Sequence, residues 1–176
     1  MTIEASTEAM RIVRTLQVYF PTGPQQTGSA FIAGAQGEHL TCAHVVVNRD
    51  GIRANRIVVS RPNGTRYEAT VGGVDETYDL ALLASNEIQQ APSIDLALPQ
   101  VGRQIVFAGL PQGLVCASVF PGMVSAVGAG LLSRPRCELV QLSGMVNNGN
   151  SGGPVVDCDN EQRHWCDNGE VCSNAA

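Results

Sequence analysis

The chain has 176 residues, of which 44% are hydrophobic and 15% are charged, and this balance excludes an intrinsically disordered protein. All 11 basic residues are arginine, so a Schiff-base enzyme, a Walker-type phosphate loop and a Ser-Lys hydrolase are excluded, because each needs a lysine. The net charge of −5 and the lack of a basic run argue against nucleic acid as a partner. With 19 Gly, 9 Pro and few aromatic residues, the composition favours many short strands, and we expect an all-β protein.

The N-terminal segment carries Glu4 and Glu8 and has no apolar stretch, so it does not have the pattern of a secretory signal. Six cysteines spread over the chain are too sparse for a disulfide scaffold. We therefore expect a cytoplasmic protein.

Short strand candidates follow one another through the first half of the chain. The segment from Arg11 to Phe20 alternates apolar and polar residues, as a half-buried strand does. A tight turn at Asn63-Gly64 predicts a hairpin between two of the later candidates. These later candidates are Gly28 to Ile32, His39 to Thr41, Arg56 to Ser60, Thr65 to Val71 and Leu80 to Leu83.

A second set of strand candidates begins after a loop-like stretch between Ser85 and Pro99. Within it, the 30 residues from Gln104 to Ser133 carry no charge and would be long enough to span a membrane. Pro111 and Pro121-Gly122 interrupt this stretch, however, at the spacing of turns between strands. The candidates are Gln104 to Ala108, Ala117 to Phe120, Met123 to Val127, Leu139 to Leu142 and Pro154 to Val156.

The two sets of strands predict a particular division of the chain. We expect two antiparallel six-stranded-type β-barrels, formed by residues 1–90 and 91–157, and an irregular cysteine-containing tail at 158–176.

The run from Gly149 to Pro154 is the strongest local signal for chemistry. Glycines on both sides of Ser151 allow a tight loop that projects the hydroxyl and leaves backbone amides free to donate to an oxyanion. A loop of this composition is also compatible with an ordinary turn. The interpretation therefore depends on partners elsewhere in the chain.

A nucleophilic serine needs a base, and the base needs a carboxylate that fixes its tautomer. His44 ends an apolar strand, whereas His39 and His164 have polar neighbours in the sequence. Asp79 stands directly before an apolar strand and is the best candidate carboxylate. Taken singly, His44 is also compatible with a packed core residue and Asp79 with a turn residue. The order His44, Asp79, Ser151 is, however, the order of one of the convergent triad folds.

Six short stretches of the chain form an ordered set that is specific, although each piece is common. They are Gly28 to Ile32, Leu40 to Val46, Asp79 to Leu83, Gly109 to Pro111, Gly122 to Ala126 and Gly149 to Pro154. The set resembles the trypsin-like serine peptidases, and within them the bacterial HtrA/Deg-type branch, over residues 11–157. The resemblance implies a double β-barrel, a site in the cleft between the barrels, and no cofactor.

The resemblance also implies a role for each matching residue. Ser151 would be the nucleophile, His44 the general base and then acid, and Asp79 the carboxylate that orients His44. The backbone N–H groups of Gly149 and Ser151 would form the oxyanion hole. Cys42 is an alternative nucleophile beside His44, but its position is more typical of a buried small hydrophobic residue.

The resemblance places the substrate pocket at Met145 and Val146. Trypsin-like enzymes that hold Arg or Lys place an acid six residues before the nucleophile, and here that residue is Met145. Burying a cation without a counter-charge is costly, so we expect a polypeptide substrate with a small or medium apolar side chain at this subsite.

The chain departs from the family after Ser151, because only 25 residues remain and their character changes at Cys158. The family places further strands there, so we expect an incomplete second barrel. Its predicted consequences are an unpaired edge beside Pro154 to Val156 and exposed apolar faces between Gln104 and Val127. A homo-oligomer or a partner chain would then complete the barrel.

The same tail contains four residue types that bind zinc, namely Cys158, His164, Cys166 and Cys172. They lack a Cys-x-x-Cys pair, and we expect no metal there.

Two hypotheses from different classes follow. The first is a serine endopeptidase that forms an acyl-enzyme on Ser151. The alternative is a catalytically impaired binding or regulatory module with this fold, or a truncated peptidase fragment.

Overall fold

The computed structural model of the chain describes residues 2–90, 92, 94, 97–111, 116–129, 138–159 and 164–166. Within these residues the helices are α1 (Ile3–Ile12) and α2 (Ala43–Val46). The strands are β1 (Val13–Tyr19), β2 (Gln26–Ile32), β3 (Glu38–Thr41), β4 (Arg56–Ser60), β5 (Arg66–Asp75), β6 (Leu80–Ser85), β7 (Gln104–Gly109), β8 (Ser118–Ala129), β9 (Glu138–Gly144), β10 (Pro154–Asp157) and β11 (His164–Cys166). None of the described helices has the length and apolar character that crossing a membrane requires.

The first six strands close into an antiparallel barrel in the order β1-β2-β3-β6-β5-β4. Leu16 and Val18 alternate with half-buried residues of β1 and pack inside the barrel with Leu83 of β6. The predicted hairpin is confirmed, because β4 pairs with β5 across the turn that contains Gly64, whose φ is +87°.

The remaining strands form a five-stranded antiparallel sheet in the order β11-β10-β7-β8-β9, which does not close. Its inner face is apolar and includes Ile105 and Phe107 of β7, Val124 of β8 and Val155 of β10. The predicted all-β double-barrel architecture with an incomplete second barrel is therefore confirmed.

The expected unpaired edge beside Pro154 to Val156 is wrong. Strand β10 pairs with β7 on one side and with β11 on the other, where Val155 lies opposite Trp165 and Val156 opposite His164. The tail expected to be irregular therefore supplies a strand. Three residues are too few for an alternating pattern to be recognised, which is why the sequence analysis missed β11.

Apolar faces were expected to be exposed between Gln104 and Val127, but most apolar residues of β7 and Val124 of β8 are buried in the described part of this range. Helix α1, which the sequence analysis also missed, covers one of them. Ala5, Ala9 and Ile12 of α1 are buried in one cluster with Val106 of β7 and Val156 of β10.

The helical start of the chain has a local explanation. The Thr2 side chain accepts a hydrogen bond of 3.1 Å from Ala5 N and so caps the first turn. Glu8 and Arg11 form an ion pair of 2.6 Å one turn apart. The strand that was expected to begin at Arg11 therefore begins at Val13, after the helix has ended.

Strand β8 is continuous where the sequence predicted two strands separated by a turn at Pro121-Gly122. The first part of β8 pairs with β7, and the part from Gly122 onward pairs with β9. Pro121 pairs with Val106 of β7 and precedes Gly122, the first residue of β8 that pairs with β9. Because Pro121 itself is not paired with β9, its missing N–H costs no hydrogen bond to that strand.

Candidate active site

His44 projects from the short helix α2, which follows β3 directly. Its helical neighbours Ala43, Val45 and Val46 are buried against the first barrel. His44 occupies the outward-facing position of this helical turn, and its side chain is 53% exposed. The interpretation of His44 as a packed core residue is therefore wrong.

Asp79 lies between β5 and β6 and is the one non-glycine residue with positive φ, +54°, in the part of the chain that the structure describes. Aspartate tolerates this left-handed conformation better than most residues. The turn brings the backbone carbonyl of Asp79 to 3.1 Å from Ala43 N, which donates to it. The backbone before β6 is thereby attached to the start of α2.

The Asp79 carboxylate accepts two hydrogen bonds from His44. Its Oδ1 accepts from the His44 backbone N–H at 2.9 Å, and its Oδ2 accepts from His44 Nδ1 at 2.7 Å. Because an ionised carboxylate only accepts, Nδ1 must carry the imidazole proton. Nε2 then keeps a lone pair that can accept a proton from elsewhere.

The two side chains of this pair differ in their exposure to solvent. The Asp79 side chain is 12% exposed, so water screens it little, while the half-exposed His44 ring remains reachable from solvent.

Ser151 lies in a loop of two consecutive tight turns, over residues 147–150 and 150–153. Each is closed by a hydrogen bond between its first and last residues, of 3.1 Å in the first turn and 2.9 Å in the second. Gly149 and Gly152 occupy the third position of these turns with φ of +100° and +85°. Turns of type II require a positive φ there, which explains the need for glycine on both sides of Ser151.

Ser29 of β2 ties this loop to the first barrel. Ser29 N donates to Ser151 O at 3.0 Å, and Ser29 Oγ donates to Gly149 O at 2.7 Å. The same hydroxyl accepts from Leu110 N at 2.9 Å. The sequence analysis gave Ser29 no role. The only feature that could have indicated one was a polar residue among the buried residues of β2.

Gly152 brings the loop against the segment that leads to His44. A side chain at this position would clash with Ser29 O and with Thr41 Oγ1, and would lie 3.0 Å from Cys42 N. Thr41 and Cys42 directly precede α2. The backbone next to Ser151 therefore packs on the chain two residues before His44.

The structure joins two of the three predicted residues and brings the loop of the third against them. His44 and Asp79 are hydrogen-bonded, and Ser151 is half-buried in the adjacent loop. Within the described residues, no hydrogen bond joins the Ser151 hydroxyl to His44. Catalytic hydrogen bonds are often long in ligand-free enzymes and tighten when substrate binds.

The two amides predicted to bind an oxyanion have no competing acceptor. In the part of the chain that is described, neither Gly149 N–H nor Ser151 N–H donates to a protein atom. An amide must be free in this way to donate to a developing oxyanion.

The two residues predicted to line the pocket have different surroundings. Met145 is 73% exposed. Val146 is half-buried and packs against the apolar cluster of the second sheet that includes Phe107 and Leu142.

Of the other candidates for site chemistry, Cys42 lies beside the pair, with its sulfur within 4.8 Å of ligand atoms of His44 and Asp79. Cys42 is fully buried in the core of the first barrel, as predicted for a small hydrophobic residue. Cys158 is buried against α1, and Cys172 lies outside the described residues, as do the side chains of His164 and Cys166. His39, which has polar sequence neighbours, is fully buried and hydrogen-bonded to Tyr67.

Comparison with known proteins matches the trypsin-like peptidase domain model to residues 28–162. Serine protease HTRA4 of Mus musculus is 33% identical over 145 residues, which are 78% of this chain and 29% of that protein. Putative serine protease HhoA of Synechocystis is 34% identical over 156 residues, which are 81% of this chain and 38% of that protein.

Solved structures agree with these sequence relatives. The HtrA-type protease AlgW with a tripeptide matches 88% of this chain with a TM-score of 0.74 and 30% identity. A serine endoprotease from Yersinia pestis matches 88% with a TM-score of 0.72 and 29% identity. The chain spans 50% and 52% of these two structures, and less than two fifths of the two sequence relatives.

Proposed function

Because the chain belongs to the trypsin-like peptidase family, we propose that it is a serine endopeptidase that cleaves polypeptides through an acyl-enzyme on Ser151. The observation that carries this proposal is the Asp79 carboxylate holding His44 by Nδ1, beside the loop of Ser151. The fold alone does not carry it, because one fold hosts many functions.

The proposed reaction begins when His44 Nε2 accepts the proton of Ser151 Oγ as this oxygen attacks the substrate carbonyl carbon. The tetrahedral intermediate carries its negative charge on the former carbonyl oxygen, which accepts from the N–H groups of Gly149 and Ser151. Asp79 stays ionised and stabilises the protonated imidazole. For this step, Ser151 Oγ must come within about 2.6 to 3.2 Å of Nε2 when substrate binds.

The second half of the reaction reverses these roles. His44 gives its proton to the leaving amine, the C–N bond breaks, and the acyl group remains on Ser151 Oγ. Water then enters, His44 takes one of its protons, and hydrolysis of the ester releases the acid and restores the Ser151 hydroxyl. Loss of one oxyanion donor typically slows such a reaction by about 10²- to 10³-fold.

We extend the proposal to specificity at Met145 and Val146. No acidic side chain occupies this position, so a bound Arg or Lys side chain would lose water without gaining a counter-charge. Peptide-library cleavage should favour small or medium apolar residues before the scissile bond. Cleavage dominated by Arg or Lys would contradict this pocket.

Two further proposals concern assembly and location. The second sheet ends at β9 and β11, and a second copy or a partner chain could complete it there. Light scattering over a concentration series would measure the oligomeric mass.

The cytoplasmic location remains a prediction from the sequence, and one relative, serine protease HTRA2 of Bos taurus, is named as mitochondrial.

The lack of a hydrogen bond between Ser151 and His44 among the described residues is also compatible with a second candidate function. In this alternative the molecule binds polypeptide segments without cleaving them and acts as a regulatory module. Reactivity of Ser151 separates the two.

A fluorophosphonate probe tests the proposed function, because it phosphonylates a serine only when an adjacent base activates the hydroxyl. We expect one label per chain on Ser151, and none in Ser151→Ala. Ser125→Ala is the matched control, because the Ser125 hydroxyl donates to Gln141 O in the second sheet, away from the loop. A folded, unlabelled wild-type chain would contradict the peptidase and support the binding module.

A further inference from the structure

Cys42, His44 and Asp79 bring three different metal-binding side chains together. One ligand atom of each lies within 4.8 Å of the others. Cys42 ends the segment after β3, His44 follows it on α2, and the left-handed turn at Asp79 holds the carboxylate against both. We propose that this cluster binds a thiophilic divalent cation such as Zn²⁺ and that the bound cation blocks His44.

The separations suit a tetrahedral zinc site after small side-chain shifts. Zinc binds sulfur at about 2.3 Å, imidazole nitrogen at about 2.0 Å and carboxylate oxygen at about 2.1 Å. In a tetrahedron these bond lengths put the ligand atoms about 3.4 to 3.6 Å apart. His44 Nδ1 and Asp79 Oδ2, now 2.7 Å apart, would separate slightly, and the Cys42 sulfur already lies within 4.8 Å of both residues' ligand atoms.

The Asp79 carboxylate can turn towards a metal, and the site is open to solvent on the side of His44. The backbone N–H of His44 holds Asp79 Oδ1, so Oδ2 can rotate towards a metal while the carboxylate stays attached. The half-exposed His44 ring gives a route from solvent and room for water as the fourth ligand.

The chemistry of the three ligands selects the class of cation. A thiolate and an imidazole favour zinc or cadmium, whereas magnesium and calcium prefer sites made of oxygen ligands alone. On binding, the S–H bond of Cys42 breaks, a metal–sulfur bond forms and the proton leaves to solvent. No electron is transferred. The thiolate and the carboxylate together neutralise the two charges of the cation.

Metal binding at these atoms would disable the base. The cation would bind either the Nε2 lone pair or Nδ1. In the second case the Nδ1 proton leaves through solvent for Nε2 and the hydrogen bond to Asp79 is lost, so that in both cases Nε2 has no free lone pair. Inhibition rests on the proposed function, whereas binding does not. The sequence analysis expected no cofactor and no metal at the cysteine-containing tail, and it did not consider Cys42, His44 and Asp79 as metal ligands.

Cobalt(II) titration of the full chain tests binding directly, because a bound thiolate gives a charge-transfer absorption and tetrahedral cobalt gives strong visible bands. We expect one equivalent to produce both, and Zn²⁺ to displace it. Cys42→Ser keeps the side-chain size and should weaken binding by at least about 10- to 100-fold, because even loss of a partner to a metal ligand costs that much. Cys116→Ser, which replaces an exposed cysteine, is the matched control and should bind as the wild type does.

Variants of other residues test the metal site in the cobalt titration independently of Cys42→Ser. His44→Gln changes a half-exposed side chain and should also weaken cobalt binding, which covers the case in which Cys42→Ser fails to fold. Unchanged spectra in folded Cys42→Ser and His44→Gln would overturn the proposal. So would loss of the thiolate band in Cys166→Ser or Cys172→Ser while folded Cys42→Ser kept it.

Fluorophosphonate labelling with and without Zn²⁺ tests inhibition. The labelling rate of the wild type should fall on addition of Zn²⁺ and recover with a chelator, and the Cys116→Ser rate should follow it. A protein that binds cobalt through Cys42 but labels equally fast with Zn²⁺ would overturn the inhibitory role. A protein that never labels would contradict the peptidase function, while the cobalt spectra would still decide the metal site.

Discussion

At the residue scale, Asp79 sets the tautomer of His44, and this makes a specific prediction. In Asp79→Asn the new amide can donate to Nδ1, which favours the tautomer with its proton on Nε2 and removes the base. We expect fluorophosphonate labelling to slow by roughly 10³- to 10⁴-fold, as the same change does in this constellation elsewhere. Asparagine tolerates the left-handed backbone, so the fold should persist.

Asp75→Asn is the matched control for this variant. The Asp75 carboxylate accepts from the Thr77 and Tyr78 amides in the same connection between β5 and β6, and it is exposed. Labelling of Asp75→Asn should equal that of the wild type. Equal rates in all three proteins would mean that Asp79 does not orient the base.

Gly152 combines a positive φ with a close approach of two chain segments, and a pair of variants separates these effects. Gly152→Ala should lower the free energy of unfolding by about 3 kcal/mol or more, because the methyl group meets Ser29 O and Thr41 Oγ1 in addition to the backbone strain. Gly23→Ala has a similar φ, +93°, with no atom within 4 Å of the new methyl group, and should cost about 1 kcal/mol. Urea unfolding measures both, and equal losses would contradict the close approach.

At the scale of elements, a buried histidine links β3 to β5 and makes stability depend on pH. His39 Nδ1 donates to Gly37 O at 2.9 Å, and Nε2 accepts from the Tyr67 hydroxyl at 2.8 Å. Burial, together with a smaller effect of the nearby Arg14 guanidinium, lowers the pKa of His39 to about 4. The neutral ring is therefore the form that the folded barrel holds.

The pH prediction follows from this pKa. As the pH falls below about 6.5, the unfolded chain takes up a proton on His39, whereas the folded chain does so only near pH 4. The free energy of unfolding should therefore decrease between these pH values, by up to about 3 kcal/mol from this group. Urea unfolding across the range should show a smaller decrease in His39→Gln, and an identical decrease would contradict the contribution of His39.

Helix α1 is predicted to stabilise the second sheet by covering its apolar face. Ala9→Glu would bury a carboxylate without a partner beside Val106 and Val156, and should lower the free energy of unfolding by about 3 kcal/mol. Thr7→Glu changes an exposed position of the same helix and should stay within about 0.5 kcal/mol of the wild type. Equal effects in urea unfolding would mean that α1 does not pack on the sheet in solution.

At the scale of the whole molecule, the first barrel could be predicted from sequence because its signals are local. Alternation in β1 and the Asn63-Gly64 turn each need only a few neighbouring residues to be recognised. Helix α1 could not be predicted in the same way. Its apolar stripe is made mostly of small alanines, and their burial depends on the sheet that the helix covers.

The catalytic candidates and the pairing of Asp79 with His44 were predictable from the sequence, whereas the contacts that hold the Ser151 loop were not. The sequence indicated His44, Asp79 and Ser151, because their chemistry and order are specific as a set. The sequence did not indicate the hydrogen bond from Ser29 to the Ser151 loop, since a single hydroxyl residue in a buried strand forms no recognisable sequence pattern. The approach of Asp79 to Cys42 depends on the turn after β5 and likewise needed the structure.

The most direct test of a working Ser151–His44–Asp79 site is the mass of the chain after acid quenching of its reaction with a nitrophenyl ester of a small apolar N-acyl amino acid. We predict the addition of one acyl group, located on Ser151 by peptide mass spectrometry, absent in Ser151→Ala and strongly reduced in Asp79→Asn. An acyl group on another residue, or ester turnover by the folded chain that is unchanged in both variants, would contradict it.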